Sequence, residues 1–246
     1  MKVYAQPEPA DLYFGARNTL INMMEARGYQ LEDGSDFSTL RLTRDEFDVL
    51  YRGHASEPNK LDITGIVDTN GKNVLISFIE WGKTLKLSDD KQGGQSFMKV
   101  VAKGLDLAND TSVKYDVKDT TTFINNLANN YHVIIVHNPS STKLFSQPNK
   151  NIEFFQVARV AFDISNNENS PQHIIMTSKE VDTLVKEKNI SVHNCAKIAS
   201  NDPFVLYYNA QPGQLIKIIR EGKELYYRSV VKVATGGIGS NIEKHL

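Results

Sequence analysis

Asp62, Glu80 and Lys83 carry the strongest hint of catalysis in this 246-residue chain. Asp62 precedes a β-rich run, Glu80 closes the next one and Lys83 lies just beyond it. With these residue types a Mg2+-dependent nuclease holds its metal on two carboxylates and activates the attacking water with a lysine. The strand period argues against the set: a lysine sharing a face with Glu80 would stand at position 82, which is Gly82, so Lys83 points the other way. Solvated strand-end carboxylates are the plainer reading of Asp62 and Glu80. Gly65, Gly71 and Lys72 imitate a phosphate-binding loop, but the spacing between the glycines is one residue too long, and Asn73 stands where a Mg2+-binding hydroxyl belongs. His193 and Cys195 match no zinc spacing and have no third ligand nearby. A lone cysteine is more commonly a small buried residue than a nucleophile. No catalytic residue, metal site or cofactor is assigned.

The elements that would position these residues can be read from periodicity and punctuation. A first helix is expected from Pro9 or Asp11 to Arg27, with Leu20, Ile21 and Met24 on one face and Gly28 as a left-handed cap. Thr43 and Glu46 have capping-box spacing, which predicts a short second helix. The runs from Ile63 to Val67 and Val74 to Ile79, separated by Asp68-Thr-Asn-Gly71, predict a hairpin. Residues 82 to 118 lose the apolar period and read as an extended surface insertion. A helical pattern at Phe123, Ile124 and Leu127 precedes the continuous apolar run Tyr131 to His137, as in a βαβ unit. Beyond the polar stretch Ser165 to Ser170 come a strand from His173 to Met176 and a second capping box, Thr177 to Glu180, leading a helix that Asn189 stops. Asp202-Pro203 then opens a short helix with a preferred N-cap and a first-position proline. Two terminal strands follow, Leu215 to Arg220 and Leu225 to Val233, joined by a tight turn. Apolar residues on both faces of the first imply burial on both, and Lys217, Arg220, Tyr226, Tyr227 and Arg228 are anchors typical of an interface core. The plainer reading is an edge hairpin kept soluble by its charges.

Composition bounds the function. With 40% hydrophobic and 23% charged residues, the chain has material for one or two cores. One cysteine excludes an internal disulfide and a four-thiolate zinc site, which predicts a reducing, intracellular setting. No run approaches the ~20 apolar residues of a membrane span, and the amino terminus lacks a signal-peptide core. A net charge of -1 argues against binding nucleic acid by bulk charge alone. The charge is polarised: residues 1–60 hold 7 Lys/Arg against 10 Asp/Glu, and residues 191–246 hold 7 against 4.

The stretch Ser200-Asn-Asp-Pro203, Tyr207, Pro212-Gly-Gln-Leu-Ile-Lys-Ile-Ile-Arg220 and Tyr226-Tyr-Arg-Ser-Val230 resembles the carboxy-terminal domain shared by the small H-type component of archaeal RNA polymerase and the fifth subunit of eukaryotic nuclear RNA polymerases. The likeness extends upstream through Pro171-Gln-His173 and Met176 to Val181. Arg17 to Tyr29 is similar to the first helix of the eukaryotic subunit's jaw, and Val133 to Val136 with Pro139-Ser-Ser-Thr-Lys143 resembles its central strand and following loop. The resemblance implies an α/β jaw domain with a restriction-endonuclease-like fold at 1–152, carrying an insertion at about 82–113, then a small α+β assembly domain at 153–246 with a short Gly-rich tail. It implies a noncatalytic subunit of a multisubunit DNA-directed RNA polymerase, docking on the largest subunit and lining the downstream-DNA cleft, with no membrane partner. By the same resemblance Asp202, Pro203, Pro212, Gly213, Lys217, Ile219, Arg220, Tyr227 and Arg228 belong to the subunit interface, and Pro139, Ser140 and Lys143 lie near downstream duplex DNA. The tight turn at Glu221 to Glu224 and Pro212, where a basic residue is common, depart from the family pattern. Divergence of this degree implies a distant homologue, nuclear if cellular, or in a cytoplasmic viral factory or virion if encoded by a large DNA virus. A Mg2+-dependent nuclease using Asp62, Glu80 and Lys83 is the alternative class, and a free-standing adaptor a third.

Overall fold

The computed structural model describes residues 8–52, 61–79, 128–137, 151–220 and 224–233. The chain divides into two compact units, Met1–Asp163 and Ile164–Leu246. The division falls later than the expected 152/153, because residues just past Asn151 complete the first unit's sheet.

In the first unit, α1 (Pro9–Ala26) starts on a proline whose missing N–H costs a helix nothing at that position. It ends as its sequence implies: Gly28 takes φ +74°, and Gly28 N–H and Tyr29 N–H reach back to the carbonyls of Glu25 and Met24. Leu20, Ile21 and Met24 are buried. After the two-residue strand β1 (Gln30–Leu31) and a 3-10 turn (Phe37–Leu40), α2 (Arg44–Arg52) is capped by the Thr43–Glu46 box, each residue bonding the other's free amide. β2 (Ile63–Val67) and β3 (Asn73–Ile79) form the expected hairpin. Its turn is built by the Asp68 carboxylate, which accepts from the amides of Asn70 and Lys72, and by Gly71 at φ 78°.

β3 pairs in parallel with β4 (Tyr131–His137), and β4 in parallel with β5 (Ile152–Gln156), giving a sheet of order β1-β2-β3-β4-β5. Val133 to Val136 are fully buried, as a central parallel strand requires. Residues 128–130 are helical, and the remainder of the expected crossover helix and the insertion lie outside the described residues. β5 leads directly into α3 (Val157–Val160), which packs on α1 so closely that a Cβ at Gly15 would sit 2.2 Å from the Ala161 carbonyl oxygen. This pair of elements had no sequence signal of its own.

A charged cluster is sealed in this unit. The Arg27 guanidinium donates to both Glu153 oxygens at 2.7 and 2.9 Å, and His132 Nε2 donates to Glu153 Oε1 at 2.7 Å. Tyr29 Oη lies 3.2 Å from His132 Nδ1, and the Asp68 carboxylate stands 3.8 Å from that nitrogen. Arg27 and Glu153 side chains are each 2% exposed. Burial alone would raise the Glu153 carboxyl, but the Arg27 charge and the His132 hydrogen bond outweigh it and bring it down to about 2. The Arg27 guanidinium is correspondingly held above its ordinary value: burial opposes this and Glu153 overcomes it.

The second unit is a four-stranded sheet of order β6-β8-β9-β7, with β6 (Gln172–Ile175), β7 (Ala196–Ala199), β8 (Leu215–Ile219) and β9 (Leu225–Val231). β7 was not legible in the sequence and joins β9 in parallel; the other pairings are antiparallel. α4 (Ser178–Lys188) has the full Thr177–Glu180 capping box and stops at Asn189 in the left-handed region, φ 49°. α5 (Pro203–Tyr207) has Asp202 as N-cap, accepting from Phe204 N–H at 2.9 Å. Among the described residues no helix is long and apolar enough to cross a membrane.

Candidate functional site

β8 is an inner strand of the second unit's sheet, and both its faces are covered in part. Residues directly opposite each other in an antiparallel pair share a face. Ile216 and Ile218 therefore join Ile175, Ile198 and Val230 in a core against Val205 and Ala210, on the α5 side. Leu215 turns the other way and packs with Met176 and Leu184, on the α4 side, together with Tyr227 and the half-buried Cys195.

This alternation divides the expected interface residues into two sets. Lys217, Ile219 and Tyr227 lie on the α4 side, all half-buried. Arg228 lies on the α5 side, opposite Ile216. Arg220, just past the strand, is exposed and stacks its guanidinium 4.6 Å over the Tyr226 ring, whose hydroxyl donates to Glu224 at 2.6 Å. That hydroxyl is held above its ordinary value by the Glu224 hydrogen bond. Arg220 N–H bonds the Glu224 carbonyl to close the hairpin. Among the described residues neither Lys217 nor Arg228 has a hydrogen bond or ion pair.

Asp202 and Pro203 act on backbone geometry. By fixing the start of α5 they set the Phe204 ring 3.9 Å from the His173 ring, stacked at 11°. His173 Nδ1 donates to the Pro171 carbonyl, and burial pushes this imidazole's pKa down. Pro212 and Gly213 are exposed, and Gly213 at φ 94° lets its N–H reach the Val230 carbonyl, tying the turn before β8 to β9. Ile174 and Leu225 share the α4-side face with Lys217, yet neither has a motif to mark it; only strand register reveals them.

In the first unit Asp62 is not the solvated carboxylate its position suggests. It is half-buried, Oδ1 accepts from Phe78 N–H at 2.8 Å and Oδ2 from the Ser77 hydroxyl at 3.1 Å. Burial pushes its pKa up to about 7 despite both bonds. Both oxygens are engaged within the protein, and the group is partly protonated near neutral pH. Glu80, Lys83, Pro139, Ser140 and Lys143 lie outside the described residues. Because the Asp62 pKa is raised on folding, its contribution to stability is fully present below about 4 and lost as pH rises through about 7. Asp62→Asn keeps an acceptor without the charge. We expect it to raise the thermal midpoint of the chain at pH 8 and leave it nearly unchanged at pH 4; equal effects at both pH values would refute the buried-carboxyl assignment.

Comparison with known proteins gives a match that begins within two residues of the second unit's start. Residues 162–230 match the family profile described as RNA polymerase Rpb5, C-terminal domain. DNA-directed RNA polymerase V subunit 5A of Arabidopsis thaliana is 24% identical over 217 residues, covering 88% of this chain and 85% of the relative. Two archaeal Rpo5 subunits of DNA-directed RNA polymerase, from Methanococcus maripaludis and Thermococcus onnurineus, are 35% and 33% identical; they match 28% and 30% of this chain and 92% and 96% of their own lengths. A match above 30% identity across nearly the whole of a relative is family membership, and the chain belongs to the RNA polymerase subunit 5 family.

Proposed function

We propose that this chain is a noncatalytic subunit of a multisubunit DNA-directed RNA polymerase, whose carboxy-terminal unit docks on the largest subunit and whose amino-terminal unit is a jaw lining the downstream-DNA cleft. The observation that carries the reading is the family match at 162–230, which falls almost wholly within the second compact unit, together with the half-buried Lys217 and Arg228 on that unit's sheet. Catalysis belongs to other subunits; this chain supplies a rigid sheet for assembly.

For the jaw we propose a restriction-endonuclease-like fold, which the mixed sheet β1-β2-β3-β4-β5 supports. The segment holding Pro139, Ser140 and Lys143 would contact phosphates, which position a duplex and read no sequence. Net charge near zero means that DNA affinity comes from the assembly. The compartment follows the polymerase: nucleus for a cellular enzyme, factory or virion for a viral one.

Purification of the tagged chain from its native cells should bring down the two large catalytic subunits, identified by mass spectrometry. The isolated chain should shift DNA weakly, and only at low salt. Tight, salt-resistant DNA binding by the chain alone, or recovery without the large subunits, would overturn the reading.

A further inference from the structure

The α4 side of the second unit's sheet is covered at one end only. Leu215 is sealed beneath Leu184 and Met176, and Tyr227 packs beside them. Towards the hairpin no helix among the described residues continues: Ile219 and Ile174 are half-buried and Leu225 is 52% exposed, although register puts all three on this one face. Lys217 lies among them, opposite Tyr227 on one strand and Ile174 on the other. Its stem is half-buried against apolar neighbours, while its ammonium has no hydrogen bond or ion pair among the described residues. The acid coupled to it is Glu180, whose Oε2 already accepts from the Thr177 N–H and hydroxyl in the capping box. A half-buried lysine without an ion pair, beside half-buried isoleucines and an exposed leucine, suits an outside carboxylate, because charge burial is favourable only when paired.

The half-buried Arg228 on the opposite face lies farther along β9, opposite Ile216, and that face presents no such demand at its hairpin end. There Arg220, Tyr226 and Glu224 satisfy one another, and the row beneath is closed by His173 and Phe204.

We infer that the patch formed by Ile174, Lys217, Ile219, Leu225 and Tyr227 receives a segment of another polymerase subunit in which an apolar side chain and a carboxylate stand close together, the apolar group covering Leu225 and Ile219 and the carboxylate meeting Lys217. This rests on the proposed polymerase assembly and selects, from the residues of both faces, the one that makes the contact. Apolar contact supplies the area, and the single charge fixes register and disfavours basic or neutral competitors. Two-fold pairing of this patch with that of a second copy is disfavoured, since it would place Lys217 against Lys217.

The experiment uses the full chain, tagged and expressed in its native cells, with recovery of the large polymerase subunits as readout. Leu225→Asp and Lys217→Glu should each reduce their recovery about tenfold or more, the scale of losing an interface anchor. Lys217→Arg should retain it, and so should Glu187→Gln on the exposed side of α4. All four variants should melt within a few degrees of the parent, because the substituted side chains are not in a core. A photoreactive phenylalanine at position 225 should crosslink to a polymerase peptide with Asp or Glu beside apolar residues. Parental recovery of both Leu225→Asp and Lys217→Glu would overturn the inference while leaving the polymerase reading intact. A crosslink to nucleic acid, to another copy of the chain or to a basic peptide would do the same. If the parent chain brings down no large subunits, the polymerase reading falls and this inference with it.

Discussion

Arg27→Ala should destabilise the amino-terminal unit by about 3–5 kcal/mol, because it leaves the Glu153 carboxylate buried and without its guanidinium. For a unit of this size that is a drop in thermal midpoint on the order of 10 °C. The magnitude follows from burial, since an exposed pair costs far less. Arg41 and Glu25 meet at 2.7 Å, but their side chains are 39% and 49% exposed. Arg41→Ala should therefore lose less than about 1 kcal/mol. Removing both buried charges together, as Arg27→Met with Glu153→Leu, should recover part of the loss. Recovery stays incomplete because His132 Nε2 then has no acceptor, a penalty of about 1–3 kcal/mol. The pH dependence has a definite sign. Glu153 titrates lower folded than unfolded, so its contribution is present above the usual carboxylate range and disappears as pH falls towards about 2. Arg27→Ala should remove that acid sensitivity. Thermal unfolding of the full chain at pH 7 and pH 3 measures both effects, and a pH 7 midpoint within about 2 °C of the parent, a margin of about 1 kcal/mol, would contradict the sealed ion pair.

Gly15→Ala should also destabilise, against the trend of helix propensity. In an open helix that change gains about 1 kcal/mol. Here the new Cβ would stand 2.2 Å from the Ala161 carbonyl oxygen, and the obstacle is backbone, so no rotamer change relieves it. Forced repacking costs about 1–3 kcal/mol and sometimes more, leaving a net loss of about 1 kcal/mol at the middle of that range once propensity is subtracted. α3 must move away from α1, exposing the surface between them. A fluorescence-monitored urea titration should show a lower midpoint, and a higher one would mean that the two helices do not approach this closely.

Legibility in the sequence followed the range of the forces involved. Caps and turns depend on residues a few positions apart, so Gly28, Thr43–Glu46, Thr177–Glu180, Asn189 and Asp202 all appear where their spacing implies. β5 and β7 did not show themselves, because each is a short strand defined by a parallel partner far away in the chain. Arg27, Glu153, His132 and Asp68 are scattered across four stretches, and nothing local marks them as a cluster. Asp62 shows the reverse error: a strand-end acid looks solvated until Phe78 and Ser77 are seen to close over it. The expected interface residues came from the family motif, but that motif mixes both faces. Strand register alone separates Lys217 and Tyr227 from Arg228.

The order in which β3 and β4 leave the ribosome also matters. Asn73 pairs with Tyr131 and Ile79 with His137, so β3 emerges with an apolar edge whose neighbour has yet to be translated. At ordinary elongation speeds the wait is on the order of 3–10 s, long compared with hairpin closure and long enough for strays to pair with that edge. Nascent chains of this protein should therefore lean on a holding chaperone until β4 arrives, whereas in the second unit β8 and β9 are adjacent and can close as soon as they are made.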